Sequence, residues 1–374
     1  MLERIALTVL GAACILLALN DVFQSVIVPR AVGRRFRLSY LIWRGGWSVW
    51  PELSFRLHPA DEAAREDLLA VFAPVALIGQ LILWSLLSVV GFGLIFWASA
   101  DRMTPHLRTL FEAFYFAGTS FFTIGFGDFV GNSGWTRLCA LLAGASGFGV
   151  VGTTTAFLFA VFASFQTREQ FVVEVGTRTG IPPSGVGLLV VAKHAGIEDG
   201  LPGVMRDAQK WCALILETHL AYPVLAYFRS SHDYESWVGT LGTLLDAATL
   251  MMTTVQTPSG EARILYDIGR HAATDLARHF RFSGDRRDPG ITRGEFDHAC
   301  DRLAEAGYAL HPREEAWQRF SRLRMTYAAP LNDIARYFSI PPLQWIGDRS
   351  SVRAPGALAI KERDESREDT GQHR

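Results

Sequence analysis

Three long stretches of the chain are made almost entirely of apolar and small residues. Residues 68–100 and 138–167 are runs of 33 and 30 residues without a charge, and residues 5–29 are interrupted only by Asp21. Because about 20 apolar residues are enough to cross a bilayer as a helix, the pattern predicts three transmembrane helices. Residues 5–29 could also be a secretory signal peptide, but they contain no small-residue cleavage site, so we expect a retained helix.

A shorter apolar segment lies between the stretches 68–100 and 138–167. Residues 107–122 place apolar and aromatic side chains at helical spacing, but the segment is too short to cross a bilayer. A short apolar helix between two spanning helices is typical of a re-entrant segment, which enters the membrane and returns as non-helical backbone. Such backbone is tolerated at membrane depth only where it is buried in protein or lines a water-filled path.

The sequence TSFFTIGFGD follows at the end of this segment and places two glycines at alternate positions. Gly125 and Gly127 can adopt a positive φ without a Cβ penalty, which lets successive main-chain carbonyls point in the same direction. A row of carbonyl oxygens can replace the water around a dehydrated cation. We therefore predict an ion-coordinating ladder, with the Thr123 hydroxyl at its inner end. Ile124 and Phe126 are expected to point away from the axis and brace the loop.

This stretch resembles the selectivity filter of the potassium channel family in its T-I-G-F-G-D form. Residues 67–167 are similar to that family's pore module of outer helix, pore helix, filter and inner helix. The resemblance implies that K⁺ is bound by four main-chain carbonyls, those of Thr123, Ile124, Gly125 and Phe126. It also implies that Gly127 completes the loop and that the Asp128 carboxylate lies at the outer mouth. Since the family's filter is built from four loops and this chain carries one, the resemblance also implies a homotetramer.

Two positions beside the filter differ from the family pattern. Phe122 stands where many members have a small hydroxyl residue, and Thr119 stands where some have a glutamate that pairs behind the filter with the aspartate. These differences bear on the stability of the filter and on inactivation, and not on the class of ion that it selects.

The third apolar stretch contains several glycines, and residues 147–152 match the pattern G-x-G-x-x-G. That motif binds dinucleotides only between a strand and a helix, whereas here it lies within 30 uncharged residues, so no cofactor is expected. Gly147 lies 24 residues after Thr123, where potassium channels commonly place a hinge glycine. Close helix packing, together with Gly144 and Gly149, is the other explanation, and the sequence leaves both open.

The distribution of arginines predicts the orientation of the helices. Residues 30–66 contain seven arginines, whereas residues 101–135 contain two. By the positive-inside rule, residues 30–66 and the chain from residue 168 onward face the cytoplasm, and residues 101–135 and the N-terminus face outward. This predicts a multi-pass protein of the cell membrane, in contact with the lipid bilayer. Asp21 lies near the cytoplasmic end of the first helix, where a structural pair with Arg30 or a nearby arginine is favoured over a functional role.

Composition and motifs exclude several other classes of protein. The net charge of −1 gives no basic field for nucleic acid. The four cysteines and ten histidines show no metal-ligand spacing, and no catalytic constellation stands out, so an enzyme is not expected. No predicted helix carries arginines at every third position, which argues against a voltage sensor.

Residues 168–345 are predicted to form a helical cytoplasmic domain. Helical spacing of apolar residues occurs at 202–229, 235–256, 259–282, 294–307 and 313–339, and no period-two strands are evident. Pro182 and Pro183 interrupt the continuation of the third apolar helix, and Ser184 is expected to cap the next one. Residues 346–374 end in a densely charged sequence and are predicted to be disordered.

One stretch of this domain concentrates polar side chains around a proline. Its members are Glu217, His219, Tyr222, Arg229, His232 and Asp233. They could line a pocket for an unknown cytoplasmic ligand or sense pH, whereas a capped helix pair with polar interface groups is the favoured interpretation.

The sequence as a whole predicts an all-α membrane protein with three transmembrane helices, a re-entrant pore helix and a filter loop, followed by a helical cytoplasmic domain. The predicted divisions are 1–29, 30–66, 67–167, 168–345 and 346–374. The predicted function is a homotetrameric potassium-selective channel without a voltage sensor, regulated by the cytoplasmic domain. A weakly selective cation channel and a membrane-tethered signalling or binding module with a vestigial pore are the alternatives.

Overall fold

The computed structural model describes residues 1–28, 38–180, 182–230, 235–257, 259–282, 290–341 and 344–345. The chain forms two compact units, Met1–Ala163 and Ser164–Arg374. The predicted tail at 346–374 and the arginines at 30, 34, 35 and 37 lie outside the described residues.

The first unit contains the three apolar helices and the short segment between two of them. Its helices are α1 (Leu2–Val22), α2 (Leu38–Tyr40), α3 (Gly46–Leu57), α4 (Glu62–Ala98), α5 (Leu110–Phe121) and the first part of α6 (Gly134–Thr179), with π-helical turns at Phe23–Ile27 and Leu41–Gly45. Two short strands, β1 (Met103–Thr104) and β2 (Val130–Gly131), pair antiparallel on either side of α5. Three helical stretches are long and apolar enough to cross a membrane, namely Leu2–Ile27, Glu62–Ala98 and Gly134–Thr179.

Helices α1 and α4 touch through their backbones. A Cβ placed on Gly11 would lie 2.4 Å from the carbonyl oxygen of Gly91, and one placed on Gly91 would lie 2.6 Å from that of Gly11. Small residues at such a crossing let two membrane helices approach closely. At one end of the pair, Arg4 forms a 3.0 Å ion pair with Asp101, just beyond α4. Helix α1 is therefore an integral part of the first unit.

A buried carboxylate joins α1, α2 and α4 near the other end of this helix pair. Asp21 is 1% exposed. It accepts hydrogen bonds from the indole Nε1 of Trp84 (2.7 Å) and from the main-chain N–H of Ser39 (3.0 Å). The predicted partner Arg30 lies outside the described residues. Among the described residues its donors are neutral groups of α2 and α4, which supports a structural role for Asp21.

The segment from α2 to α3 packs along the first half of α4. Trp43 donates from its indole nitrogen to the Gln80 side chain at 2.6 Å, and Trp50 donates to the Leu68 carbonyl at 2.9 Å. The rings of Trp43, Trp47 and Trp50 lie against Phe72, with centroids 5.0 to 6.0 Å away. These three tryptophans thus anchor the segment to α4.

The second unit is helical throughout the residues that the structure describes. It continues from the end of α6 with α7 (Gly185–His194), α8 (Leu201–Ala221), α9 (Trp237–Thr253), α10 (Gly260–Phe280), α11 (Arg293–Glu305), α12 (Arg313–Arg324) and α13 (Ala328–Tyr337). Short 3₁₀ turns occur at Glu198–Gly200 and Pro223–Tyr227. Ser184 caps α7 as predicted, since its hydroxyl accepts from the Gly187 N–H at 3.0 Å.

Helix α9 forms the centre of the second unit. Sixteen of its 17 residues are buried, and a helix that is apolar all round is one that other helices cover on every side. Its one buried carboxylate, Asp246, pairs with Arg324 at 2.8 Å and accepts from the Tyr327 hydroxyl at 2.8 Å. This pairing fixes α9 against α12 and α13.

The predicted fold class is confirmed, but two predicted helices are shorter than expected. The helix predicted over 202–229 ends at Ala221, before Pro223, and a 3₁₀ turn follows at Pro223–Tyr227. The helix predicted over 313–339 is two helices, α12 and α13, separated at residues 325–327. Pro330 explains the break, because it has no N–H to donate and its ring would clash with the carbonyl of residue 326 in a continuous helix. It is tolerated instead in the first turn of α13.

Candidate functional site

The candidate site is built on α5, whose start is fixed by its own sequence. The Thr109 hydroxyl accepts from the Glu112 N–H at 3.2 Å, and the Glu112 carboxylate accepts in return from the Thr109 N–H at 3.3 Å. This reciprocal capping box satisfies two N–H groups that have no partner within the helix. One face of the helix is buried, and the Phe116 ring packs edge-on against Phe96 of α4 at 4.7 Å. Helix α5 is therefore held in place along its length.

The loop that follows α5 has positive φ at every second residue. The φ angles are 55° at Thr123, 61° at Gly125 and 79° at Gly127, and Ile124 and Phe126 are not among the positive-φ residues. The two glycines take the dihedrals that the sequence predicts for them. Thr123 was not expected to do so, because a β-branched residue at positive φ is strained. Left-handed residues at alternate positions are the backbone condition for a row of carbonyls that share one direction.

The beginning of this loop is tied to the carboxyl end of α5. The carbonyl of Thr119 accepts from the N–H of Ile124 at 2.8 Å and from that of Gly125 at 3.3 Å, and the Ser120 carbonyl accepts from Thr123 N–H at 3.1 Å. The loop donors thus satisfy carbonyls that a helix leaves unpaired at its end. Since the carboxyl end of a helix carries a partial negative charge, this placement favours a cation beside Thr123.

A residue that sequence reasoning missed lies near Asp128, since the hydroxyl of Tyr115 on α5 interacts electrostatically with its carboxylate. The Asp128 carboxylate also accepts from the Phe129 N–H at 3.2 Å. Thr119, which stands at the position where some potassium channels have a glutamate, instead donates its hydroxyl to the Phe116 carbonyl at 3.0 Å. Tyr115 lies four residues before Thr119 and so on the same helix face, which was the available signal.

The two side chains expected to brace the loop are not covered within this chain. Ile124 is 54% exposed and Phe126 is 69% exposed. Phe122, beside them, is 51% exposed, and its ring contacts Phe121 edge-on at 5.2 Å. The described residues of a single chain therefore leave both side chains largely uncovered.

Gly147 of α6 lies directly against the end of α5. A Cβ added to Gly147 would be 1.8 Å from the carbonyl oxygen of Phe121 and 2.7 Å from its carbonyl carbon. At Gly144 the Ser120 oxygen would be 3.4 Å away, whereas at Gly149 no atom lies within 4 Å. Close packing is therefore a sufficient reason for glycine at 147 and contributes at 144. The hinge role of Gly147 stays a prediction.

The polar stretch of the second unit contains a histidine that is unsuited to sensing physiological pH. His219 is fully buried, and burial together with the charge of Arg168 lowers its pKa to about 3. Its Nδ1 donates to the Ile215 carbonyl at 2.9 Å, and because the low pKa keeps the ring neutral, the lone pair is on Nε2. The predicted His232 and Asp233 lie outside the described residues.

Comparison with known proteins supports the assignment of the first unit. Residues 77–164 match a protein-family model described as an ion channel, so the predicted resemblance is confirmed for this part of the chain. A 207-residue stretch, 54% of the chain, is 21% identical to YdjJ, an uncharacterized membrane protein of Bacillus subtilis (strain 168). The chain spans 59% of the length of that relative. No solved structure matches the chain. The family match and the three apolar helices together indicate a multi-pass membrane protein that carries an ion channel module.

Proposed function

We propose that the chain is one subunit of a homotetrameric, potassium-selective channel. The observation that carries the proposal is the alternation of positive φ at Thr123, Gly125 and Gly127, directly after a short helix whose carboxyl end faces the loop. Such an arrangement offers main-chain oxygens to a dehydrated cation. The carbonyls of Thr123, Ile124, Gly125 and Phe126 bind K⁺ in this proposal, and Asp128 lies at the outer mouth. Conduction is passive and needs no cofactor or catalytic residue.

The surface of the first unit supports assembly of several copies. Loop side chains such as Ile124 and Phe126 are exposed in the single chain, although they are large and apolar. Helix α6 also exposes large apolar residues, which either lipid or a neighbouring copy can cover; they include Leu138, Leu141, Leu142, Phe148, Val151, Leu158, Phe159 and Phe162. Neighbouring copies around a fourfold axis would cover these groups and complete a ring from four single loops.

The proposed orientation places the filter mouth and the start of α1 outside the cell. The Arg4–Asp101 ion pair supports a common side for both, because Asp101 belongs to the connection that leads to the filter. The excess of arginine in residues 30–66 supports the opposite, cytoplasmic side for that linker and for the second unit. The second unit is then the natural regulator of the pore, with a ligand still to be found.

Flux into proteoliposomes tests this function. Purified full-length protein is reconstituted into vesicles loaded with K⁺ or with Na⁺, and uptake of tracer cation is followed against an outward gradient of the same ion. The proposal expects uptake with K⁺ and little with Na⁺. Comparable uptake of both ions would indicate a weakly selective cation channel. Failure of any vesicle preparation to take up either ion would favour a membrane-tethered module with a vestigial pore.

A further inference from the structure

Helix α6 runs without interruption from the first unit into the second. Its 46 residues correspond to about 69 Å at 1.5 Å per residue, more than twice the roughly 30 Å of a bilayer's hydrocarbon core. Residues 164–179 belong to the second unit. Whatever holds these last turns also constrains the helix that carries Gly147.

Arg168 is the buried charge on this part of α6. The residue is 1% exposed, and its guanidinium donates to the main-chain carbonyls of Leu225 and Phe228, both at 2.9 Å. Leu225 lies in the 3₁₀ turn Pro223–Tyr227 and Phe228 directly follows it, and the Leu225 carbonyl also accepts from the Phe228 N–H at 3.1 Å. Glu169 accepts from the same guanidinium at 2.8 Å. The Arg168 side chain therefore ties α6 to the segment after α8.

The main chain at Arg168 is engaged as well. The indole nitrogen of Trp211, on α8, donates to the Arg168 carbonyl at 3.2 Å. The Trp211 ring stacks on Phe171 of α6 at 5.2 Å, and the Arg168 guanidinium lies over Phe165 at 5.0 Å. Side chain and backbone of one residue thus contact both α8 and the 3₁₀ turn that follows it.

A second line of contacts runs from Arg168 to the central helix. Arg168 Nη1 lies 3.5 Å from the His219 Nε2, the nitrogen that carries the free lone pair. The His219 ring in turn packs on Trp237, the first residue of α9, at 4.5 Å. The three residues Arg168, His219 and Trp237 thus connect α6 to α9, the central helix of the second unit.

We propose that Arg168 is the positioning residue that fixes residues 164–179 of α6 to the rest of the second unit, so that these turns, α8 and the 223–228 segment move as one body. A buried guanidinium without partners is strongly unfavourable, so the carbonyls that it binds must follow when α6 moves. A signal received anywhere on α8 or α9 then reaches α6 at Arg168. The functional part of this inference rests on the proposed channel function.

Arg168→Lys tests the proposal, with Arg178→Lys as the matched control. Lysine keeps the charge but cannot bind two carbonyls with a planar fork. Arg178 is on the same helix and forms an exposed pair with Glu174. Hydrogen exchange is measured on both full-length variants, together with K⁺ and Na⁺ flux.

In Arg168→Lys we expect amide exchange to rise about tenfold or more in both 164–172 and 222–228, since hydrogen bonds to a charged group are lost. Potassium flux should change several-fold with an unaltered K⁺/Na⁺ ratio. The Arg178 variant should match the wild type in all three measurements.

Two results would overturn the proposal. One is exchange that rises in 222–228 alone while 164–172 stays protected, because the two segments would then move independently. The other is a loss of protection in both segments with unchanged flux in a chain that does conduct. If the wild type carries no flux, the channel function fails, and the exchange data still decide whether Arg168 joins the two segments. Should Arg168→Lys not fold, Trp211→Phe replaces it, because it removes the N–H that α8 donates to the Arg168 carbonyl and keeps an aromatic ring beside Phe171.

Discussion

Gly147 and Phe121 are in backbone contact, with no room for a methyl group between them. Phe121 ends the helix that leads into the filter loop, and its carbonyl oxygen would lie 1.8 Å from a Cβ on Gly147. The inner helix and the base of the loop are therefore packed against each other at the residue where a hinge was predicted. A bend of α6 at this point would therefore displace the end of α5, from which the proposed filter loop begins.

Gly147→Ala should disturb selectivity and not gating alone. Helices α5 and α6 would have to separate by more than about 1 Å to accept the methyl group, and overpacking of this kind costs about 1–3 kcal/mol per subunit. We expect a lower K⁺/Na⁺ flux ratio or a smaller tetramer fraction in size-exclusion chromatography. Gly152→Ala is the control, because no atom lies within 4 Å of its Cβ position while its gain in helix propensity is the same. A change in open probability in Gly147→Ala alone, with selectivity and the tetramer fraction retained, would support the hinge.

Gly125→Ala and Gly127→Ala should abolish selective conduction. Both glycines have positive φ, at 61° and 79°, and a Cβ in that region costs on the order of 1 kcal/mol or more per residue, repeated in every subunit of a ring. Potassium uptake by proteoliposomes should collapse or lose discrimination against sodium while the oligomer still forms. Gly134→Ala adds a methyl group in open space at the start of α6 and should leave uptake unchanged. Normal selectivity in both filter variants would remove the basis for the proposed ion site.

Asp21→Asn should destabilise the first unit without changing selectivity. The substitution removes the charge that strengthens hydrogen bonds from Trp84 and Ser39, at a cost of about 1–3 kcal/mol for a buried site. The thermal midpoint in detergent should fall, and the K⁺/Na⁺ flux ratio should stay constant. Asp101→Asn breaks an ion pair whose side chains are 57% and 53% exposed, and it should lower the midpoint far less. A changed flux ratio in Asp21→Asn would point to a direct role of this carboxylate in permeation.

Acid should weaken the second unit through His219. Its pKa is about 3 in the folded chain and near 6.5 when the chain is unfolded, so below pH 6.5 the unfolded state binds a proton that the folded state does not. Stability should then fall as pH drops from about 6.5 toward about 3, by up to about 1.4 kcal/mol per pH unit. Arg168 and His279 are the charged or titratable neighbours that oppose protonation.

Thermal melts of His219→Gln over this pH range measure the effect. The variant should lose part of the acid sensitivity, whereas His298→Gln, at an exposed position on α11, should keep all of it. Equal acid sensitivity in the wild type and the His219 variant would mean that other groups are responsible.

Features set by local sequence were predictable, and features set by distant contacts were not. The spanning helices, the capping of α7 by Ser184 and the left-handed glycines of the filter loop each depend on a few neighbouring residues. The backbone contact of Gly11 with Gly91 joins positions 80 residues apart in the sequence, and nothing in either helix alone indicates its partner. The contacts of Arg168 were not predictable either, because an arginine near the end of an apolar helix is typical of a membrane boundary.

The proposed filter loop contains both kinds of feature, those set by local sequence and those set by the surrounding structure. The positions of Gly125 and Gly127 indicate their dihedrals directly, because only glycine adopts positive φ without strain. Thr123 takes positive φ against its own preference, since its N–H is bound to the last turn of α5. A strained conformation of this kind depends on the surrounding helices and cannot be read from the threonine itself.

The ion pair between Arg4 and Asp101 makes the sidedness of the pore accessible to a simple labelling reaction. Residue 4 lies at the same end of the α1–α4 pair as the connection that leads to the filter. A cysteine introduced at a neighbouring exposed position of α1, such as Ile5, can be offered to a thiol reagent that does not cross membranes. If the reagent modifies this cysteine in intact cells, the predicted outer mouth faces the outside of the cell. The experiment alters no residue of the proposed conduction path.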